Sequence, residues 1–126
     1  MGLVRRFEDL QAWQAARELT NRAYGAMCSG SFVHDATLKN QLRRAAVSTM
    51  SNVAEGFDSG SSVKFRRFLR YAARSASEVQ SCLYVANDQG YLSPDDFTVL
   101  YEKARDVRRL CSGLIRRLSR ARRTGP

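Results

Sequence analysis

The placement of proline and glycine constrains this chain more than any other feature. Its 126 residues contain one internal proline, Pro94, and glycines at positions 25, 30, 56, 60, 90 and 113 away from the termini. Between these breaks apolar residues recur every three or four positions, and no stretch keeps the alternation of a strand. Four amphipathic segments joined by short polar turns predict an all-α fold, an antiparallel up-down-up-down four-helix bundle, with residues 1–126 forming a single domain.

The first helix is expected over about residues 8–27, with Glu8 and Asp9 placing negative charge in its first turn. Ala12, Ala16, Leu19, Ala23 and Met27 make its apolar stripe, and Trp13 and Tyr24 lie beside it. The second is expected over about 36–55, with Asp35 as N-cap and Gly56 as its close. Its stripe is Leu38, Leu42, Ala46, Thr49, Val53 and Phe57. The third is expected over about 62–89 from a start at Ser61 or Ser62, and Gly90 suits the left-handed position after its end. Phe65, Phe68, Leu69, Ala72, Ala76, Val79, Leu83 and Ala86 keep its period. The fourth, over about 94–119, has the clearest start: Ser93 as N-cap, Pro94 first, then Asp95 and Asp96. Phe97, Leu100, Tyr101, Ala104, Val107, Cys111, Leu114 and Leu118 define its buried side, and the basic tail 120–126 is expected to fray.

Charge sets the class of partner. The chain carries 21 Lys+Arg against 12 Asp+Glu, a formal net charge of +9. Residues 58–126 hold fourteen of the basic and seven of the acidic side chains, and no acid follows Asp106. Such a field attracts nucleic acid or acidic surfaces. No stretch is apolar for long enough to cross a bilayer, and the N-terminus lacks the apolar core of a signal peptide, so a cytoplasmic protein without a membrane partner is expected.

Catalytic and metal-binding readings fail by absence. Cys28, Cys82 and Cys111 have no C-x-x-C spacing and, with the lone His34, make no standard zinc set; three small buried thiols are expected. His34 with Asp35 is the only pair favouring a hydrolase, and a solvated loop histidine is the simpler expectation. No nucleophile elbow, P-loop or Glu-x-x-His pair occurs, and no Arg stands four to six residues before His34 as in helical HEPN-type ribonucleases. The expectation is a protein with no catalytic residues, no metal, no cofactor and no small-molecule substrate.

Two features carry a binding reading. On the second segment Gln41, Arg44, Ser48, Asn52 and Glu55 share one side of a helix, and on the third Arg67, Tyr71, Arg74 and Glu78 repeat at four and three. Either these stripes face each other, Glu55 pairing Arg67 or Arg74, or both are solvated faces with ordinary i,i+4 pairs. The second feature is the run Lys64-Phe65-Arg66-Arg67-Phe68-Leu69-Arg70-Tyr71-Ala72-Ala73-Arg74. Arg66, Arg70 and Arg74 make one positive stripe, with no acid between Asp58 and Glu78; Arg66 and Arg70 are expected on the outside of the bundle and Arg74 inside or between bundles. Joined by Arg43 and Arg44, these cations, with Lys64 and Arg67, are the candidate contacts to nucleic-acid phosphates; they supply no base readout. The aromatics Trp13, Tyr24, Tyr91 and Tyr101 support a different reading, a scaffold for an acidic protein partner.

A family resemblance runs through these residues. Phe7-Glu8-Asp9-Leu10-x-x-Trp13-x-x-Ala16, Gln41-Leu42-Arg43-Arg44-Ala45-Ala46-Val47-Ser48, Asn52-Val53-Ala54-Glu55-Gly56, Phe65-x-x-Phe68-Leu69-x-x-Ala72-x-x-Ser75 and Gly90-Tyr91-Leu92-Ser93 occur in that order. The pattern resembles the bacterial four helix bundle protein family, also called the 23S rRNA intervening-sequence protein family. The resemblance implies a cytosolic four-helix bundle with no catalytic residues. It places Ser75 with Gln41, Ser48, Asn52, Glu55 and Glu78 among the polar contacts between helices or subunits. Relatives include the accessory protein of diversity-generating retroelements, a cationic homopentamer that binds nucleic acid and a reverse transcriptase; a homo-oligomer, with a pentamer favoured, is therefore implied. One departure stands out. The family commonly has Ile-Pro after the serine of the signature, where this chain has Thr49-Met50, and loss of that proline is expected to straighten the second segment.

Overall fold

The computed structural model describes the backbone of residues 4–124 and side chains as far as Ala121. Four α-helices account for nearly all of it: α1 (Gln11–Met27), α2 (Ala36–Asp58), α3 (Ser62–Asp88) and α4 (Pro94–Thr124). Each packs against its neighbour in sequence, and α1 closes the cycle against α4. Residue numbers rise along one helix as they fall along the next. Thr20 meets Ala46 and Tyr24 meets Arg43; Ser48 meets Ser75 and Gly56 meets Phe68; Gln80 meets Arg108 and Arg66 meets Ser119. Neighbours therefore run antiparallel.

The helix boundaries follow local chemistry. The Asp35 carboxylate accepts from the Leu38 N–H at 3.0 Å, Ser61 Oγ from the Lys64 N–H at 3.2 Å, and Ser93 Oγ from the Asp96 N–H at 3.1 Å. Each satisfies an amide that the first helical turn leaves open. At the end of α3, Gly90 takes φ +75, and the amides of Gly90 and Tyr91 return to the carbonyls of Asn87 and Ala86. This paired closure needs a residue without a side-chain penalty in the left-handed region.

The helix bounds and connections depart from the sequence expectation at four places. Residues Phe7–Asp9 form a 3₁₀ turn, and α1 begins at Gln11, because Leu10 is extended (φ −75, ψ 130) and buried in the core. The bend also sets the Phe7 ring edge-on to Trp13, centroids 5.3 Å apart. A second 3₁₀ turn, Gly30–His34, carries Phe32, fully buried and stacked on Tyr91. The Tyr91 hydroxyl donates to the Asp35 carboxylate at 2.9 Å, so the α1–α2 and α3–α4 connections lock together at one end of the bundle. Gly56 does not close α2; the helix runs through it to Asp58. At the far end α4 stays helical through residues 120–124 of the expected tail, while residues 125 and 126 lie outside the described residues.

One apolar cluster fills the space between the helices, with Leu19, Leu42, Leu69, Leu83, Val53, Val79 and Val107 fully buried. The buried threonines bond within it. Thr20 Oγ1 donates to the carbonyls of Ala16 and Ala46, and Thr49 Oγ1 to that of Ala46. Cys82 and Cys111 are buried, but Cys28 is exposed just past the end of α1, where no partner helix covers it. Burial pushes the Cys111 thiol up to about 12, and burial with the nearby Glu78 charge raises Cys82. Among the described residues no helix is long and apolar enough to cross a membrane.

Gly56 has a packing reason for being glycine. A Cβ there would stand 2.7 Å from Phe68 Cβ and 3.0 Å from Phe65 Cδ1, so α2 and α3 touch through its missing side chain. Gly25, also inside a helix, has open space around the same position. Replacing Gly25 by Ala should stabilise the protein by about 0.5–1 kcal/mol through helix propensity. Gly56→Ala should destabilise it by about 1–3 kcal/mol, because overpacking outweighs that gain. Urea unfolding of both variants checks the opposite signs. In a thiol-reagent assay near neutral pH, Cys28 should react in the native protein, and Cys82 and Cys111 only after unfolding.

Candidate nucleic-acid interface

The arginine stripe of α3 is not uniformly exposed. Successive members of an i, i+4 series drift about 40° around a helix. The series passes from half-buried at Arg66 to exposed at Arg70 and Arg74, and both of its ends stand beside α4, Arg66 at Ser119 and Arg74 at the arginines of that helix. Arg66, expected outside, is half-buried: one terminal nitrogen donates to Ser119 Oγ at 3.3 Å, and among the described residues its buried Nε has no partner. Arg74, expected inside or between bundles, is exposed and lies over the Tyr71 ring, 5.7 Å from its centroid. Arg67, Arg70 and Lys64 are exposed along α3.

The α2 arginines stand elsewhere. Arg43 donates to Asn40 Oδ1 at 2.8 Å and covers the Tyr24 ring on the α1 side. Arg44 opens on the opposite, α3 side, lining a shallow groove with Gln41 and Glu78. Tertiary packing therefore spreads the seven candidate cations over three flanks of the bundle rather than one patch.

What packing does assemble is a groove between α3 and α4. Arg74 from α3 meets Arg105, Arg108, Arg109 and Arg116 from α4 around a volume of about 770 Å³, with the Ser77 and Ser112 hydroxyls in its lining. On α4 these four sit at i, i+3, i+4 and i+11, a reach of about 16 Å at the helical rise. Two have acidic partners on their own helix: Arg105 pairs with Glu102 at 3.4 Å, and Arg109 pairs with Asp106. Arg105 also covers the Tyr101 ring, which packs with Tyr84 and Phe97. Arg108 donates to Gln80 Oε1 at 3.0 Å. The sequence signal for this groove was the excess of arginine after Asp106. Spacing along one helix does not reveal that Arg74 of another faces it.

The polar stripes of α2 and α3 meet at their centres. Ser75 Oγ donates to Ser48 Oγ at 3.0 Å, and Asn52 Nδ2 reaches both Ser48 Oγ and the Ser48 carbonyl at 2.9 Å. All three are half-buried, so this is a polar clasp in the seam. The ends of the stripes are solvated: Gln41, Glu55 and Glu78 are exposed, and among the described residues no ion pair joins Glu55 to Arg67 or Arg74. His34 is exposed in its 3₁₀ turn, and no group of three or more His, Cys, Asp or Glu among the described residues is placed to hold a metal ion.

The family model of the 23S rRNA-intervening sequence protein matches residues 8–113, which take in α1, α2 and α3 whole, part of α4 and the Ser48–Asn52–Ser75 clasp. The chain belongs to this family. Its fold is similar to the crystal structure of a protein with unknown function from the S23 ribosomal protein family of Bacteroides thetaiotaomicron. The TM-score is 0.77 at 16% sequence identity, over 83% of this chain and 95% of that one. No curated protein matches the sequence. Within the groove, Arg74, Arg105, Arg108 and Arg109 fall inside the family match and Arg116 lies beyond it. Ser48→Ala should remove the shared acceptor of the clasp and lower stability by about 0.5–1.5 kcal/mol, measured by thermal unfolding. The α3–α4 groove is on another flank, so polyanion affinity should not change.

Proposed function

We propose that this chain is a non-enzymatic, cationic binding protein. It takes RNA or DNA phosphates on its arginine-rich surfaces and assembles with further copies of itself, as a pentamer by family resemblance. The observation that carries the reading is the convergence of Arg74, Arg105, Arg108, Arg109 and Arg116 on one groove. Guanidinium groups match phosphate in a planar, bidentate way, and several on one concave surface concentrate the positive field. Lys64, Arg67 and Arg70 extend the positive surface along α3 beside the groove, and Arg44 adds a separate cation on the α2–α3 side. In a ring of subunits these flanks join into a longer basic track. Phosphate contacts of this kind fix position without reading sequence, so affinity is expected to vary little between base compositions.

Fluorescence anisotropy with a labelled oligouridylate and a labelled oligothymidylate tests the binding. Affinity should fall steeply between about 50 and 200 mM salt as counterions are released, with a log–log slope of about −2 to −4 for three to five phosphate contacts. Replacing Arg109 and Arg116 together by Gln should weaken binding about tenfold or more and flatten the slope by about 1.5. No binding at about 50 mM salt, or affinity indifferent to salt, overturns the reading. Light scattering should return a multiple of the 14.2 kDa chain mass, and a monomer removes the ring.

A further inference from the structure

Gln80 is a polar side chain in an apolar position. It sits on α3 among Ala76, Val79 and Leu83, retains 6% of its exposure, and makes no bond within its own helix. Its Oε1 accepts from Arg108 at 3.0 Å, while its Nε2 is fully buried with no hydrogen-bond partner among the described residues. The opposite amide orientation would turn a donor toward a guanidinium, so the Arg108 bond sets which way the group points. A buried donor left open lowers stability, and an apolar residue of the same shape would remove that penalty. Among the described residues the only polar contact the Gln80 side chain makes is the one that holds Arg108, and Arg108 lines the α3–α4 groove.

We propose that Gln80 is a positioning residue for a phosphodiester site in that groove, and that Arg108 is the contact it positions. An arginine side chain free in solvent loses several rotatable bonds when it grips a phosphate. Arg108 has part of that freedom removed in advance, because one terminal nitrogen is anchored on the buried Gln80 Oε1. Its other guanidinium donors remain for the ligand. Ser77 and Ser112 stand in the same lining; the Ser77 hydroxyl donates to the Ala73 carbonyl at 3.3 Å and keeps its acceptor capacity. The neighbouring Arg105 and Arg109 also line the groove but are paired with Glu102 and Asp106 of their own helix, whereas Arg108 is held from the facing helix by Gln80. The inference rests on the nucleic-acid reading above and adds a named contact with its support.

The test uses the full-length protein and three variants, Gln80→Met, Arg108→Lys and the double mutant. Each is titrated with labelled oligouridylate, labelled oligothymidylate and a labelled DNA duplex, alongside thermal unfolding. Gln80→Met should keep or raise Tm, by up to about 5 °C, while Kd rises about 3- to 10-fold. Arg108→Lys keeps the net charge and should weaken binding by a similar factor, because an ammonium cannot use the planar fork. The double mutant should bind no more weakly than Arg108→Lys alone, as two residues acting through one contact do. Whichever probes bind should show the same ordering, and the probe with the largest loss identifies the strand type that the site takes. Wild-type binding with Gln80→Met at equal affinity overturns this inference alone, as do fully additive losses. Wild-type protein that binds none of the probes overturns both this inference and the reading beneath it.

Discussion

The close contact of α2 with α3 governs the rest of the molecule. At Gly56 the two helices approach until no Cβ fits between them and Phe68. Midway along the seam Ser48, Asn52 and Ser75 join through small hydroxyl and amide groups rather than apolar bulk. A glycine at one point and a polar clasp at another fix both the separation and the sliding register of the pair. A shift by one turn would place Cβ atoms against Phe68 and separate the clasp, exchanging a satisfied network for half-buried polar groups without partners. With α3 held in one register and rotation, its opposite side is committed to α4.

That commitment creates the charged groove. The rotation of α3 sends Arg66 into the α4 contact with Ser119, leaves Gln80 beneath Arg108, and puts Arg74 on the rim. Like charges gathered on one flank repel each other, and the fold tolerates them because they are solvated and partly matched by Glu102 and Asp106. The remaining attraction is available to a polyanion. The opposite arrangement holds at the end of the bundle where the Tyr91–Asp35 bond and the Phe32–Tyr91 stack tie two loops together. There the polar groups satisfy one another, and the Tyr91 hydroxyl is held protonated above its ordinary range by its bond to the Asp35 carboxylate.

Particular residues mark where linear reading succeeds and where it stops. Asp35, Ser61, Ser93 and Gly90 announce helix ends because capping is a local act, completed within four residues. The stripes of Leu, Val and Ala announce buried faces because helical period is local too. Phe32 escapes notice because one aromatic in a Gly-Ser loop has no period, and only the Tyr91 ring across the bundle end gives it a partner. Gly56 reads as a helix stop in sequence and proves to be a contact point, since a glycine mid-helix looks the same as one at the end until a facing phenylalanine is known. Cys28 reads as a buried thiol by residue type, but it sits beyond the last covered turn of α1.

By itself the sequence determined the helix count, the caps, the core stripes, the family likeness and the positive charge of the C-terminal half. All of these rest on residues within a few turns of each other or on sums along the chain. Tertiary structure alone decided which arginines share a surface. The direction in which a side chain leaves a helix follows from its position in the turn, but the neighbour it meets depends on the rotation and register of a second helix. Those are set by contacts such as Gly56 with Phe68, between residues twelve apart in sequence, and Gln80 with Arg108, twenty-eight apart.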